Sequence, residues 1–320
     1  MVGHLLDLKE LAKEEILGIV DTALEIKKNP SKFEEALEGK TLVMLFQKTS
    51  TRTRLSFEIG MQQLGGKAVF LDWKSTQFAM SDIRDETQVL CRYADIIMAR
   101  LIKNSDLLKM AKASSVPVIN GCDEKHHPCQ ILCDLVTIKE KFGKLEGLKL
   151  VYVGIHNNTC NSLIEGCTKV GMKITTVTPI TNEPSIDLEI VESAKNTGLY
   201  ESTLDLKSAM EGADIVYTDT WVDMEFFFDS KFMDEKEKRL KQMMPYQINE
   251  ALLSQSTAMV MHLMPIHEGY EITREIVNGE KSMIFDQAEN RLHGQKAILL
   301  FLLNSAKASQ LQAAHKQLVS

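Results

Sequence analysis

Short apolar runs alternate with amphipathic segments along nearly the whole chain, and this alternation constrains the fold most. The apolar runs have the length of strands, and the segments between them have the apolar spacing of helices. Such alternation predicts βαβ units, and therefore an α/β fold with doubly wound parallel sheets. Nine strands are predicted, over residues 41–46, 67–72, 95–100, 116–120, 148–154, 173–179, 214–219, 258–265 and 282–286.

Nine strands are many for one domain, and 320 residues can build two cores. We divide the chain at "KLEG", after a predicted helix over 129–143. The first domain is predicted over residues 1–145 and the second over 146–289, with a C-terminal helix over 290–320 completing the first. An N-terminal helix (8–28) and the C-terminal helix, with its core at about 288–316, bracket the two halves.

Composition excludes several classes of partner. The formal charge is −7, from 37 basic and 44 acidic residues, which argues against nucleic acid. No apolar run has the length of a membrane span, and the first residues lack the pattern of a signal peptide. The six cysteines form no C-x-x-C pair, so we expect reduced core thiols in a cytoplasmic protein.

The sequence "STRTR" (50–54) stands between the first predicted strand and a predicted helix with apolar positions from Leu55 to Leu64. Unbonded backbone N–H groups and the helix dipole favour an anion at such a point. Hydroxyl groups add donors, and an arginine guanidinium matches the geometry of a phosphate. The cluster therefore predicts a phosphate site, against the alternative of an ordinary helix cap with surface arginines.

Other polar residues follow predicted strands in both halves. In the first half they are Arg100 and the stretch "GCDEKHHPCQ" (121–130); in the second they include "GIHNN" (154–158), Asp219 and His262. Ligands of parallel α/β proteins bind at the carboxyl ends of strands. We therefore expect a cleft between the domains, with phosphate chemistry on the first side and a polar organic substrate on the second.

In their order and spacing, "STRTR", a strand-end arginine, "HPCQ" and "FDQAENRL" resemble the aspartate/ornithine carbamoyltransferase superfamily, and most of all its ornithine enzymes. The resemblance implies two domains joined by crossing helices, one for carbamoyl phosphate and one for an amino acid. It implies carbamoyl transfer to the side-chain amine of ornithine, giving citrulline and phosphate. It also implies a homotrimer or a multiple of trimers, with no metal and no organic cofactor.

The resemblance also implies roles for individual residues on the donor side. Thr53, Arg100 and His127 are expected to face the carbamoyl oxygen as catalytic groups. Gln77 is expected to reach the phosphate in a neighbouring subunit. The implied carbamoyl phosphate site consists of Ser50, Thr51, Arg52, Thr53, Gln77, Arg100, His127, Gln130, the carbonyl of Met264, and Arg291.

On the acceptor side the sequence departs from the family pattern. Ornithine enzymes carry D-x-x-x-S-M-G and H-C-L-P, whereas this chain has Asp223 for the serine, Glu225 for the glycine and Leu263 for the cysteine. The added carboxylate suits a second cation or a diamine such as putrescine, while Asn158 suits an amino acid such as ornithine or lysine. The implied acceptor site consists of Asn158, Asp219, Asp223, Met224 and Leu263.

Three further classes are less well supported. An aspartate-specific enzyme would need cations where this chain has carboxylates. A nicotinamide dehydrogenase would need G-x-G-x-x-G after strand 148–154, where the sequence is "GIHNNTC". A non-catalytic homologue conflicts with the intact phosphate motifs. The segment 221–245 is predicted to be either a substrate loop or a solvated helical insertion.

Overall fold

The computed structural model describes residues 3–222, 227 and 230–319, with side chains as far as residue 304. Two units are distinguished by their internal contacts: Met1–Val136 with Asn290–Ser320, and Thr137–Glu289.

Unit 1 contains a four-stranded sheet in which all neighbouring strands are parallel. Its elements are the strands β1 (Thr41–Phe46), β2 (Lys67–Asp72), β3 (Ile96–Arg100) and β4 (Val118–Asn120), and the helices α1 (Lys13–Lys28), α2 (Thr51–Gln63), α3 (Ile83–Leu90) and α4 (Asn104–Ala113). The spatial order is β2-β1-β3-β4, so β1 and β3 are the central strands. Both are continuous apolar runs, as expected for parallel strands covered on both faces.

Unit 2 contains a five-stranded parallel sheet. The chain passes into it within α5 (Pro128–Phe142) and returns to unit 1 within a last helix that begins at Ile284. The elements are β5 (Lys149–His156), α6 (Asn158–Lys169), β6 (Lys173–Thr181), α7 (Leu188–Asn196), β7 (Tyr200–Ser202), α8 (Leu206–Met210), β8 (Ile215–Thr218), α9 (Met233–Met243), α10 (Glu250–Leu253), β9 (Met259–His262), α11 (Arg274–Val277) and α12 (Ile284–Val319). The order is β7-β6-β5-β8-β9.

The α/β class with two parallel sheets is therefore confirmed, but the strand list needs two corrections. Residues 282–286 are not a strand: Ser282 forms one bridge with Val260, and α12 starts two residues later. A short apolar run cannot be assigned by periodicity alone, and here it begins a buried helix. The strand β7 was not predicted; it is a three-residue edge strand in which only Tyr200 is buried.

Helix details differ from prediction as well. The N-terminal helix begins at Lys13 rather than at residue 8. In α2, Phe57 and Met61 are buried, but Leu55 and Ile59 are exposed, because positions two residues apart lie on opposite faces of a helix. In 221–245, the largely exposed α9 confirms the helical insertion for that part. No helix among the described residues is both long and apolar enough to cross a membrane.

Candidate active site

The start of α2 has the geometry that the "STRTR" motif predicts. Ser50 is the N-cap residue, and its Oγ accepts a hydrogen bond from the backbone N–H of Thr53 at 3.3 Å. The same Oγ lies 3.0 Å from Thr53 Oγ1. Thr51 and Arg52 form the first helical turn, just beyond the carboxyl end of β1. The positive end of the helix dipole and several backbone donors are thus gathered at this point.

The two arginines of the motif have different environments. The Arg54 guanidinium lies 3.9 Å from the centre of the Phe70 ring, and its Nε donates to Glu58 at 3.1 Å. Arg52 is half-buried, and its positive charge acts on the imidazole of His127. Of the two arginines in this motif, Arg52 is therefore the one placed to contribute positive charge at the strand ends.

Arg100 and His127 come together at the carboxyl edge of the sheet. Arg100 ends β3, and its Nη1 donates to the carbonyl of Gly121 at 3.2 Å. His127 is buried directly before α5. Burial, and then the charges of Arg291, Arg100 and Arg52, hold the pKa of His127 well below its ordinary value. The imidazole is therefore neutral at neutral pH, and it lies within the field of three guanidinium groups.

Arg291 joins three elements of unit 1. Its Nη1 donates to Gln130 Oε1, and its Nη2 lies 3.3 Å from Thr53 Oγ1. Gln130 Nε2 donates in turn to Asp134 Oδ1 at 2.8 Å. The helices α5 and α12 pack closely here, since a Cβ added at Gly294 would lie 2.3 Å from Cys133 Sγ. This packing holds the Arg291 backbone close to α5, and the two hydrogen bonds orient its side chain.

The loop before His127 is held by Asp123, which the sequence analysis did not identify. Its Oδ1 accepts from the backbone N–H groups of Lys125 and His126 at 2.8 and 2.7 Å. Its Oδ2 accepts from the side-chain amides of Asn104 and Asn120 at 2.8 and 3.1 Å. A carboxylate that accepts four hydrogen bonds organises the whole turn. One signal for this role was available in the sequence. Asp123 stands two residues before Lys125 and three before His126, which is the spacing of an Asx turn.

Gln77 begins a single helical turn (Gln77–Ala79) between β2 and α3. The hydrogen bonds that join Thr53, Gln130 and Arg291 do not include it. Its expected role in the site of a neighbouring copy remains a prediction.

In unit 2, Asn157, Asn158 and Asp219 lie at the carboxyl ends of β5 and β8. Asn157 caps α6, accepting from the N–H of Cys160 at 3.0 Å and donating to Asp219 Oδ2 at 2.8 Å. Asn158 is the first residue of α6. Asp219 is buried, and the N–H of Thr220 donates to its Oδ1 at 2.7 Å. A buried carboxylate at this position can accept hydrogen bonds from an ammonium group.

The loop after β9 is held by a buried His–Glu pair. His262 Nδ1 accepts from the N–H of Met264 at 2.8 Å, so its Nε2 carries the proton and donates to Glu271 Oε1 at 3.1 Å. The N–H of His267 donates to the same carboxylate oxygen at 2.6 Å. Met264 has φ 57°, and the Met264–Pro265 peptide is cis. Glu271 fixes the loop that carries Leu263 and Met264, and this role was not predicted.

Two predicted acceptor residues, Asp223 and Met224, lie outside the described residues, as does Glu225. Their roles remain predictions. Phe227, in the same segment, stacks on the His267 ring with centroids 3.7 Å apart. Lys236 of α9 lies 3.8 Å from the centre of the Phe227 ring. These contacts place Phe227 between α9 and the loop after β9.

Parallel α/β units with charged and amide side chains gathered at the carboxyl ends of their strands are typical of α/β enzymes. Comparison with known families gives the particular class. Residues 3–140 match the carbamoyl-P binding domain of aspartate/ornithine carbamoyltransferases, and residues 146–302 match their Asp/Orn binding domain. The chain belongs to the aspartate/ornithine carbamoyltransferase family.

Individual relatives support the same assignment. The chain is 45% identical over 306 residues to the ornithine carbamoyltransferase of Methanocaldococcus jannaschii, covering 93% of this chain and 98% of the relative. It is 43% identical to the ornithine carbamoyltransferase of Bacillus thuringiensis subsp. konkukian, with 95% of each chain covered. Among solved structures, the ornithine carbamoyltransferase of Pyrococcus furiosus matches with a TM-score of 0.86 and 40% identity, covering 94% of this chain and 97% of the other.

Proposed function

We propose that this protein is an ornithine carbamoyltransferase, which transfers the carbamoyl group of carbamoyl phosphate to the side-chain amine of ornithine and forms citrulline and phosphate. The observation that carries the proposal is the Arg291 centre of unit 1, where Thr53 and Gln130 share one guanidinium. This centre lies in the unit matched by the carbamoyl-P binding domain, and the relatives named above are ornithine enzymes.

Carbamoyl phosphate is assigned to unit 1. The phosphate is held by the first turn of α2, through the side chains of Ser50, Thr51 and Thr53 and the guanidinium of Arg52. Arg100, with the Nε of its guanidinium buried and without a hydrogen-bond partner among the described residues, faces the carbamoyl oxygen. Gln130 binds the carbamoyl amide, and Arg291 sets the orientation of Gln130 and Thr53.

The chemistry follows from where charge develops. The neutral amine of ornithine attacks the carbonyl carbon, and negative charge grows on the carbonyl oxygen. Arg100, His127 and Thr53 are donors for that oxygen. Because His127 is neutral, it donates a hydrogen bond without adding a fourth positive charge to those of Arg52, Arg100 and Arg291. The C–O bond to the phosphate then breaks, the attacking nitrogen passes one proton to the departing phosphate oxygen, and the hydrogen phosphate dianion leaves toward Arg52 and the N–H groups of α2.

The acceptor is assigned to unit 2. Asn158 binds the α-carboxylate of ornithine, and Asp219 binds its α-ammonium. Asp223, Met224 and Leu263 line the same pocket in this proposal, together with the carbonyl of Met264 on the carbamoyl side. The two carboxylates Asp219 and Asp223 favour a cationic substrate over a dicarboxylate such as aspartate.

Assembly and compartment are also part of the proposal. We place the protein in a homotrimer or a multiple of trimers, with Gln77 serving a neighbouring site. Apolar side chains exposed on α2, on the edge strand β2 and shortly after Gln77 support such an interface, namely Leu55, Val69 and Met80. The six cysteines remain thiols, which suits the cytoplasm.

A substrate panel tests the proposal. Carbamoyl phosphate is supplied with ornithine, lysine, putrescine or aspartate, and the ureido product is measured. We expect ornithine to have the highest kcat/KM, by roughly tenfold or more over lysine, since one extra methylene displaces the attacking amine. A higher kcat/KM for putrescine than for ornithine would mean that Asp223 and Leu263, which replace the usual serine and cysteine, select a different acceptor.

The rate of carbamoyl transfer should increase with pH, because the attacking amine must be neutral. An alkyl ammonium has a pKa of roughly 10, so the reactive amine becomes about tenfold more abundant per unit between pH 7 and 9. The pKa of His127 is lowered, so this residue is already neutral throughout that range and does not change charge. We expect kcat/KM for ornithine to rise with a slope near one in a logarithmic plot.

A variant at His127 distinguishes titration of the ornithine amine from titration of the His127 imidazole. His127→Gln is expected to lower kcat/KM and keep the same slope, because the wild-type imidazole does not titrate between pH 7 and 9. A slope that flattens only in His127→Gln would mean that the histidine, and not the amine, titrates in this range.

A further inference from the structure

A groove of about 520 Å³ lies in unit 1, between the C-terminal turns of α1 and α2 and one face of α12. We call it the α1–α12 groove. Its lining includes the apolar side chains of Ile26, Phe33 and Leu292 and the basic side chains of Lys27, His293 and Lys296. Its volume is within the range of small-molecule sites. None of these residues has a role in the proposed carbamoyl transfer.

Lys296 is the unusual residue in this groove. Its side chain is only 3% exposed, and its Cγ would lie 3.3 Å from a Cβ added at Gly60. The contacts of the described residues include no hydrogen bond and no ion pair for its ammonium group. Burial lowers the pKa of Lys296. Its ammonium is not among the fully buried polar atoms, so the methylene stem is buried while Nζ reaches the groove, where an acceptor would replace part of its hydration.

The C-terminus of α2 does not explain Lys296. A lysine can bind the last carbonyl groups of a helix. Here, however, the carbonyls of Gly60, Met61 and Gln62 accept from the backbone N–H groups of residues 64, 66 and 65. The carbonyl of Leu64 accepts from the N–H of Leu37 at 2.7 Å. The carbonyl of Gln63 has no such backbone donor, but no hydrogen bond joins Lys296 to it among the described contacts, so the ammonium is open to an acceptor in the groove.

We propose that the α1–α12 groove binds a small organic monocarboxylate, with its carboxylate on Lys296 Nζ and its apolar chain against Ile26, Phe33 and Leu292. Lys27, whose Nζ also donates to Asn290 Oδ1 at 3.1 Å, adds a second positive charge to the lining. Among the described residues of the lining, Glu34 is the one acidic residue, and it is exposed. The apolar part of the groove favours such a carboxylate over inorganic phosphate.

The groove is distinct from the proposed carbamoyl phosphate site. It lies at the C-terminal end of α2, whereas Ser50–Thr53 lie at the N-terminal end. Gln63 is twelve positions after Thr51, which corresponds to about 18 Å along the helix axis. The inference therefore stands independently of the proposed function.

Calorimetric titration with hexanoate tests the site, with Lys296→Met as the variant and Lys112→Met, at an exposed lysine of α4, as the control. The wild type and Lys112→Met should bind one hexanoate per chain, and Lys296→Met should bind it at least about tenfold more weakly, because a charge-assisted hydrogen bond is lost. Arg52→Ala should bind hexanoate like the wild type. In Arg52→Ala, added inorganic phosphate should not compete with hexanoate for the groove. Without hexanoate, Lys296→Met should turn over carbamoyl phosphate and ornithine at the wild-type rate.

Two measurements guard against a trivial loss of binding. Thermal unfolding should show that Lys296→Met is folded and melts no lower than the wild type, since an unpaired buried charge has been removed. Phe33→Asp, at the half-buried edge of the groove, should also abolish hexanoate binding by repulsion. Hexanoate binding that survives both Lys296→Met and Phe33→Asp, or that disappears in Arg52→Ala, would overturn the proposal.

Discussion

Replacing Arg52 by alanine is expected to weaken carbamoyl phosphate binding by about 100-fold or more and to leave the protein folded. The guanidinium supplies a bidentate, charge-assisted contact to the phosphate, and two such hydrogen bonds are worth roughly 3 kcal/mol or more. A loss of 1.4 kcal/mol corresponds to about tenfold in affinity. The fold is expected to persist because Arg52 is half-buried in the first turn of α2 and lies outside the apolar cores.

The control for this experiment is Arg54→Ala. Arg54 belongs to the same motif and carries the same charge, but it stacks on Phe70 and pairs with Glu58. The Arg54→Ala variant should have a dissociation constant for carbamoyl phosphate, measured by calorimetry, within about threefold of the wild type. Losing the exposed ion pair with Glu58 should have little effect on stability, since such pairs contribute little to it. Equal losses in the two variants would mean that the motif acts only through net charge, and that Arg52 has been given the wrong role.

Replacing Arg100 by methionine is expected to lower kcat by about 100- to 1,000-fold. This is the effect of removing one donor from a developing oxyanion. Methionine keeps much of the length of the side chain, and the hydrogen bond from Arg100 to Gly121 is lost together with the charge. The KM for carbamoyl phosphate should change much less than kcat, because the interaction strengthens as negative charge develops.

Lys103→Met is the control, since Lys103 is an exposed cation three residues further along the chain. The Lys103→Met variant should keep kcat within about twofold of the wild type, because solvent and salt screen the effect of an exposed charge on the reacting atoms. If Arg100→Met raised KM and left kcat unchanged, Arg100 would be a ground-state binding residue, and the oxyanion role would pass to Thr53 and His127.

The parts of the structure that sequence could predict are those determined by local pattern. The strand β1 begins and ends where predicted because the polar residues Lys40 and Gln47 bound a continuous apolar run. The N-cap at Ser50 was predictable because Ser50, Thr51 and Thr53 stand where a helix must begin. In both cases neighbouring residues carry all the information.

The parts that sequence missed depend on contacts between distant segments. Asp123 holds Asn104 as well as its own turn, and Glu271 holds His262 from nine residues away. The Asx-turn spacing indicates only the contacts of Asp123 with its own turn, and nothing in the local sequence indicates its contact with Asn104 or the pairing of Glu271 with His262. The difference between Arg52 and Arg54, by contrast, could have been predicted. Two residues span about 200° of a helix, so these side chains point in opposite directions.

The most direct test of the account is to follow the carbamoyl carbon itself. Carbamoyl phosphate labelled with ¹³C is mixed with the purified protein and ornithine, and the label is followed by nuclear magnetic resonance. The account predicts that the label moves to the ureido carbon of citrulline at the rate at which phosphate is released, and that Arg52→Ala slows both together. Phosphate release without labelled citrulline, or labelling only of an amine other than ornithine, would contradict it.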